Sequence, residues 1–146
     1  MGFKTKRKVP FIEQYQKTEC GICCVCMIQN YYNLEITIQE LRKDLEVGRD
    51  GSTFTQLNEL LEKYNFTTKA YKIPAEKIFI LDAPSIILWD NNHFVIYEGE
   101  KNNKVVIVDP KIGRLKYSIE EFSEHFSNYV LVPKPSEEFK TSKKKY

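Results

Sequence analysis

The chain has 146 residues, with 22 Lys plus Arg against 20 Asp plus Glu and nine each of Phe and Tyr. That suits one compact domain, carries no nucleic-acid footprint in its charge, and holds too much aromatic surface for a disordered chain. No stretch approaches the roughly 18 to 20 apolar residues of a membrane span, and the basic start, Met1 to Lys8, is followed by no apolar signal region, so the chain reads as soluble and unexported.

Residues 1–8 read as a flexible basic N-terminus, and 9–12 as a short extended entry in which Pro10 disfavours helix for Val9. A polar loop from Gln14 feeds an apolar run that predicts a first helix over 20–32, stopped by Asn33. All four cysteines fall within this loop and helix, between Cys20 and Cys26. They are too close together to staple distant parts of a secreted fold, and a reducing cytosol suits them better. Thr37 with Glu40 is a capping-box pattern and opens a second helix to about Leu45, with Ile38, Leu41 and Leu45 inward. Residues 47–52 are a loop. Thr53 with Gln56 opens a third helix to about Tyr64, with Leu57, Leu60 and Leu61 inward.

From Thr67 the apolar period shifts toward two, which predicts a strand over 67–73 and, after Pro74, a short helical link to Ile80. Strands follow at 85–89 and 93–98, separated by a turn at Asp90 to Asn92. A hairpin loop over 99–103 leads to a strand at 104–108, ended by Asp109-Pro110. Ile112 to Arg114 reads as a turn, and Ser118 with Glu121 caps a helix to about Phe126. A last strand covers 129–132. Helices followed by an antiparallel meander make the class α+β, over a domain at 9–133, and 134–146, with its lysine run, reads as a linker or tail.

The chemistry centres on Cys20. At a helix mouth, free backbone N–H groups and the positive end of the helix dipole stabilise a thiolate. Cys23, Cys24 and Cys26 read as buried packing thiols. A thiol nucleophile needs an imidazole, a group to orient it, and donors for the oxyanion. His93 starts a strand just after a turn, whereas His125, the other histidine, sits among acidic residues of a helix and reads as a solvated side chain. Asp109 ends the next strand of the hairpin that His93 begins, so it can accept a bond from the imidazole. Gln14 could fold back so that its amide joins the Cys20 backbone N–H as an oxyanion donor. Singly, each has an ordinary structural reading: an Asp-Pro strand end, a surface histidine, a loop glutamine.

Three motifs stand in order: Gln14 with Glu19-Cys20-Gly21, then Asn92-His93-Phe94-Val95, then Val108-Asp109-Pro110. From Val9 to Pro133 the chain resembles the bacteriocin-processing cysteine peptidases, the papain-like domain at the N-terminus of peptidase-containing ABC transporters. The resemblance implies a papain-like fold with N-terminal helices packed on a C-terminal antiparallel sheet. It implies Cys20 as nucleophile, His93 as general base and acid, Asp109 as orienting residue and Gln14 as oxyanion donor, with no cofactor and no metal. Its substrate would be a precursor peptide whose amphipathic leader ends in a double-glycine motif, Gly-Gly or Gly-Ala. Its partners would be the membrane-spanning and ATP-binding parts of a transporter, at the cytoplasmic face of the membrane.

Three rival readings remain at this point. Cys20 and Cys23 spell the C-x-x-C of a thiol-disulfide oxidoreductase, but the preceding segment is polar where such a site follows an apolar strand. Zinc binding lacks the second, separated ligand pair of structural sites. A non-cleaving leader-binding module would keep the groove without turnover.

Overall fold

The computed structural model describes residues 8–44 and 53–138. The expected loop at 47–52, Leu45, residues 1–7 and the lysine run at 143–145 lie outside them. A 3-10 turn, Lys17–Glu19, runs straight into α1, Cys20–Tyr31. Asn33, at φ 72°, ends it in the left-handed conformation that Asn tolerates. α2 is Ile38–Asp44 and α3 is Phe54–Lys63. Both open on the expected boxes: Glu40 N–H donates to Thr37 Oγ1 at 3.2 Å and Gln56 N–H to Thr53 Oγ1 at 3.1 Å.

The strands are β1 (Phe66–Lys72), β2 (Ser85–Trp89), β3 (His93–Lys101), β4 (Lys104–Asp109), β5 (Gly113–Tyr117) and β6 (Phe126–Pro135). A 3-10 segment, Ala75–Ile80, follows β1, and α4, Ile119–His125, precedes β6 with Ser118 as its cap. All pairings are antiparallel, but the sheet is not the simple meander expected. Its order is β1-β6-β2-β3-β4-β5, so the last strand inserts between the first two.

Three local expectations are corrected. The turn expected at 112–114 falls at 110–112 instead, and Gly113 and Arg114 already belong to β5, an edge strand whose alternation is weak because it buries little. The loop expected at 99–103 shrinks to Asn102 and Asn103, both at positive φ, the two-residue turn whose twist suits a hairpin. The strand expected at 129–132 begins at Phe126, directly where α4 ends, and continues to Pro135.

Both sheet faces are covered. Ile86, Ile96 and Leu131, neighbours across three strands, face α1, α2 and α3. Ile87, Val95 and Val130, one residue along each strand, face α4 and the 3-10 segment. Burial on both sides explains why β2 reads as an unbroken apolar run rather than an alternating one.

The β3–β4 hairpin carries a bulge. Lys101 to Gly99 pair with Lys104 to Val106, but Tyr97 then pairs with Ile107. Glu98 is the extra residue, and Gly99, at φ 128°, makes the kink. Below the bulge each β3 residue lies one position out of step with the turn, which decides the face on which His93 projects.

Candidate active site

Glu19-Cys20 stands at the junction between the 3-10 turn and α1. Cys20 is 6% exposed, and the Phe94 backbone N–H donates to its Sγ at 3.4 Å, so the start of β3 lies against the start of α1. His93, the residue before Phe94, contacts Asp109 with its ring and lies close enough to Cys20 to feel its sulfur. Its Nε2 lies 2.7 Å from Asp109 Oδ1, and that carboxylate is nearly buried. Continuing the register of Ile96 with Val108 by one step sets Asp109 beside Val95, so Asp109 and His93 share a face. Without the Glu98 bulge the same count would leave them on opposite faces.

The imidazole feels opposed influences. Burial alone pulls it toward neutrality, but the hydrogen bonds to Asp109 and Cys20 and the negative charge of both more than offset this, raising it from 6.5 to about 9. The Lys111 N–H also donates to the same Asp109 Oδ1, at 2.9 Å, and helps fix the carboxylate that the ring contacts.

Gln14 lies in the same cleft. Its backbone N–H donates to the Pro110 carbonyl at 2.9 Å, which ties its loop to the end of β4. One amide hydrogen goes to the Gln16 carbonyl at 3.1 Å, and Oε1 is buried without a partner. The structure thus brings Cys20, His93 and Asp109 into one chain of contacts, with Gln14, His93 and Asp109 sharing the walls of a cavity of about 420 Å³.

The other cysteines are unsuited to redox exchange. All four are free. Burial, followed by the charge of Glu19, pushes the Cys23 thiol up to about 12. Burial likewise raises Cys26 to about 12 and Cys24 well above its ordinary value. A resolving cysteine must ionise or be attacked, and these three are packed away from solvent. Among the described residues no His, Cys, Asp and Glu group could hold a metal ion.

Several residues at the site escaped sequence reading. Glu19, beside the thiol, is 5% exposed and takes a bidentate pair from Arg42 of α2, at 2.6 and 2.9 Å. The N-terminal arm that carries Gln14 is tied down by Glu98 and Arg114. Glu98 accepts the Val9 N–H at 2.6 Å, while Arg114 pairs with Glu98 and donates to the Val9 carbonyl at 2.8 Å. His125 is no plain solvated side chain: its ring stacks on Trp89 at 5.0 Å, and Nδ1 lies 2.9 Å from Asp90 Oδ1. The only sequence signal for these pairs is the position of Glu19 within the Cys20 motif.

A helix-borne thiol, an imidazole delivered by a sheet, and an acidic residue behind that imidazole define the class: a papain-like cysteine peptidase. Known proteins agree. The Peptidase C39 family profile matches residues 8–138. A double glycine motif protease from an AMS/PCAT transporter, solved in complex with the leader peptide, is 35% identical at a TM-score of 0.84, covering 88% of this chain and 93% of that one. The peptidase domain of Streptococcus ComA shares the fold at a TM-score of 0.79 with 20% identity, over 88% of this chain and all of that one. The colicin V secretion/processing ATP-binding protein CvaB of Escherichia coli is 30% identical over 97% of this chain. The lactococcin-G-processing and transport ATP-binding protein LagD of Lactococcus lactis subsp. lactis is 31% identical over 90%. The chain spans about a fifth, 20%, of the length of each of those two relatives. The chain belongs to the Peptidase C39 family. No helix among its described residues is long and apolar enough to cross a membrane.

Proposed function

We propose that this chain is an endopeptidase that removes leader peptides from bacteriocin-type precursors, cutting after Gly-Gly or Gly-Ala. Cys20 attacks the carbonyl carbon as a thiolate while His93 holds the proton, and Asp109 fixes the imidazole through Nε2 so that its other nitrogen faces the sulfur. The tetrahedral oxyanion takes the Cys20 backbone N–H and the amide hydrogen that Gln14 does not give to Gln16. The C–N bond then breaks, its electrons staying on nitrogen, which takes the imidazolium proton. Water, deprotonated by the same imidazole, hydrolyses the thioester.

The observation that carries this reading is the contact chain from Cys20 through His93 to Asp109, with 2.7 Å between the last two. The leader-bound relative supports the substrate class, and the processing and transport relatives support coupling to an ABC transporter, with the chain working at the cytoplasmic face of a membrane as part of this proposal. The peptidase domain is taken from residue 9 through the end of β6 at Pro135, two residues past the boundary expected at 133, and the match over 8–138 supports this.

The test is incubation with a precursor peptide whose leader ends in Gly-Gly, beside a Cys20→Ala control. The native chain releases the leader at that bond and the control does not. Cleavage by the control, or by neither protein, overturns the assignment.

A further inference from the structure

The cavity that shares Gln14, His93 and Asp109 continues beyond them, and its far part has no role in the chemistry above. Trp89 lies directly opposite His93 in the β2–β3 ladder, and Tyr117 and His125 extend from it. The three rings form one cluster, with Trp89 5.4 Å from Tyr117 and Tyr117 5.9 Å from His125. Ile112, in the turn between β4 and β5, lines the same cavity and is 63% exposed. We infer that this extension is a subsite for the residue immediately after the scissile bond, and that it selects a bulky apolar or aromatic side chain there. The inference rests on the peptidase reading proposed above.

Its side of the scissile bond follows from proton transfer. The acyl half of the substrate ends on Cys20 Sγ, while the leaving nitrogen must meet His93 to be protonated. The leaving half therefore runs past the imidazole, and among the described residues the cavity walls include His93 but not Cys20. Trp89, Tyr117 and His125 belong to the sheet face covered by α4, whereas α1 and Cys20 pack on the opposite face.

Its preference follows from what is already paired. Asp109 is engaged by His93 and the Lys111 N–H, and Asp90 by His125. With these carboxylates occupied and the Lys111 side chain among the walls, a cation finds no counter-charge. Beside the polar Gln14 and Asn92, which lie toward His93 in the site or the chain, the walls offer the Tyr117 and His125 rings and Ile112, which an apolar group covers well.

The test uses peptides identical through the Gly-Gly ending that differ only in the first residue after the cut: Gly, Phe or Lys. The native chain should favour Phe over both others in kcat/KM by about tenfold. Ile112→Ser and His125→Ala should bring the Phe-to-Gly ratio toward one. Ile112 is exposed, so its variant keeps the test usable if loss of the His125 stack impairs folding. Equal turnover of the three peptides by the native chain overturns the inference. So does a Phe preference that survives both substitutions, or sensitivity to Ile112→Ser that follows residues before the cut. If no peptide is cleaved, the peptidase reading itself fails, an outcome distinct from unselective cleavage.

Discussion

His93 keeps its proton to about pH 9 because Asp109 and Cys20 flank the ring, and that protonated form is what a departing amine requires. Because the folded value is raised from 6.5, the stability gained from His93 is fully present below about 6.5 and is lost as pH rises through about 9. kcat/KM should accordingly fall as pH rises through about 9. Asp109→Asn should bring that limb down toward the ordinary histidine range and cut kcat by about a hundredfold or more. An unmoved limb in a pH profile of the variant would count against Asp109 as the orienting group. Cys23→Ser should leave leader cleavage intact while costing about 1–2 kcal/mol of stability, read from chemical denaturation, because a hydroxyl replaces a buried thiol. The grouping of Cys20, His93 and Asp109 was legible in the sequence because each sits at the end of an element whose motif spans a few residues. Arg42 and His125 were not. Their partners, Glu19 and Asp90, lie 23 and 35 residues away, on elements that only the finished fold brings together.

Helix starts were legible for a similar reason. Thr37, Thr53 and Ser118 each bond three residues along, so the signal and the structure occupy the same short stretch. Strand content was harder to read where strands bury little. β5 is an edge strand whose Arg114 and Tyr117 are only half-buried, and it carries no apolar stripe. The bulge at Glu98 was hidden as well, since an extra residue in one strand leaves the apolar pattern on either side intact. Its effect on the site is nonetheless large, because it brings His93 and Asp109 to one face. Gly99→Ala places a Cβ at φ 128°, and should cost about 1–2 kcal/mol by denaturation. Activity per folded molecule should fall too, since relaxing the kink shifts His93 relative to Asp109. A variant with full stability and full activity would show that the kink is not needed.

Across the whole molecule, the N-terminal arm and the sheet are joined by one buried carboxylate. Glu98 accepts from Val9 and pairs with Arg114 on β5. Arg114→Ala leaves that carboxylate without its cation and should destabilise the fold by about 3 kcal/mol, visible as a lowered denaturation midpoint. If the midpoint holds, the arm is secured by other contacts. The α+β class was legible from the order of helices and strands, but the strand order was not, because nothing in the sequence of Phe126 to Pro135 states that it fits between β1 and β2. That insertion bears on how the molecule assembles. β1 meets the rest of the sheet only through β6, so neither β1 nor the free edge of β2 has its neighbour until a segment some 55 residues beyond β1 is available. Such distant pairing is slow, and folding that depends on it finishes in one late step rather than growing along the chain as it is made. A nascent chain held back before Phe126 would carry the thiol, the histidine and the aspartate together, on a sheet still lacking the strand that closes it.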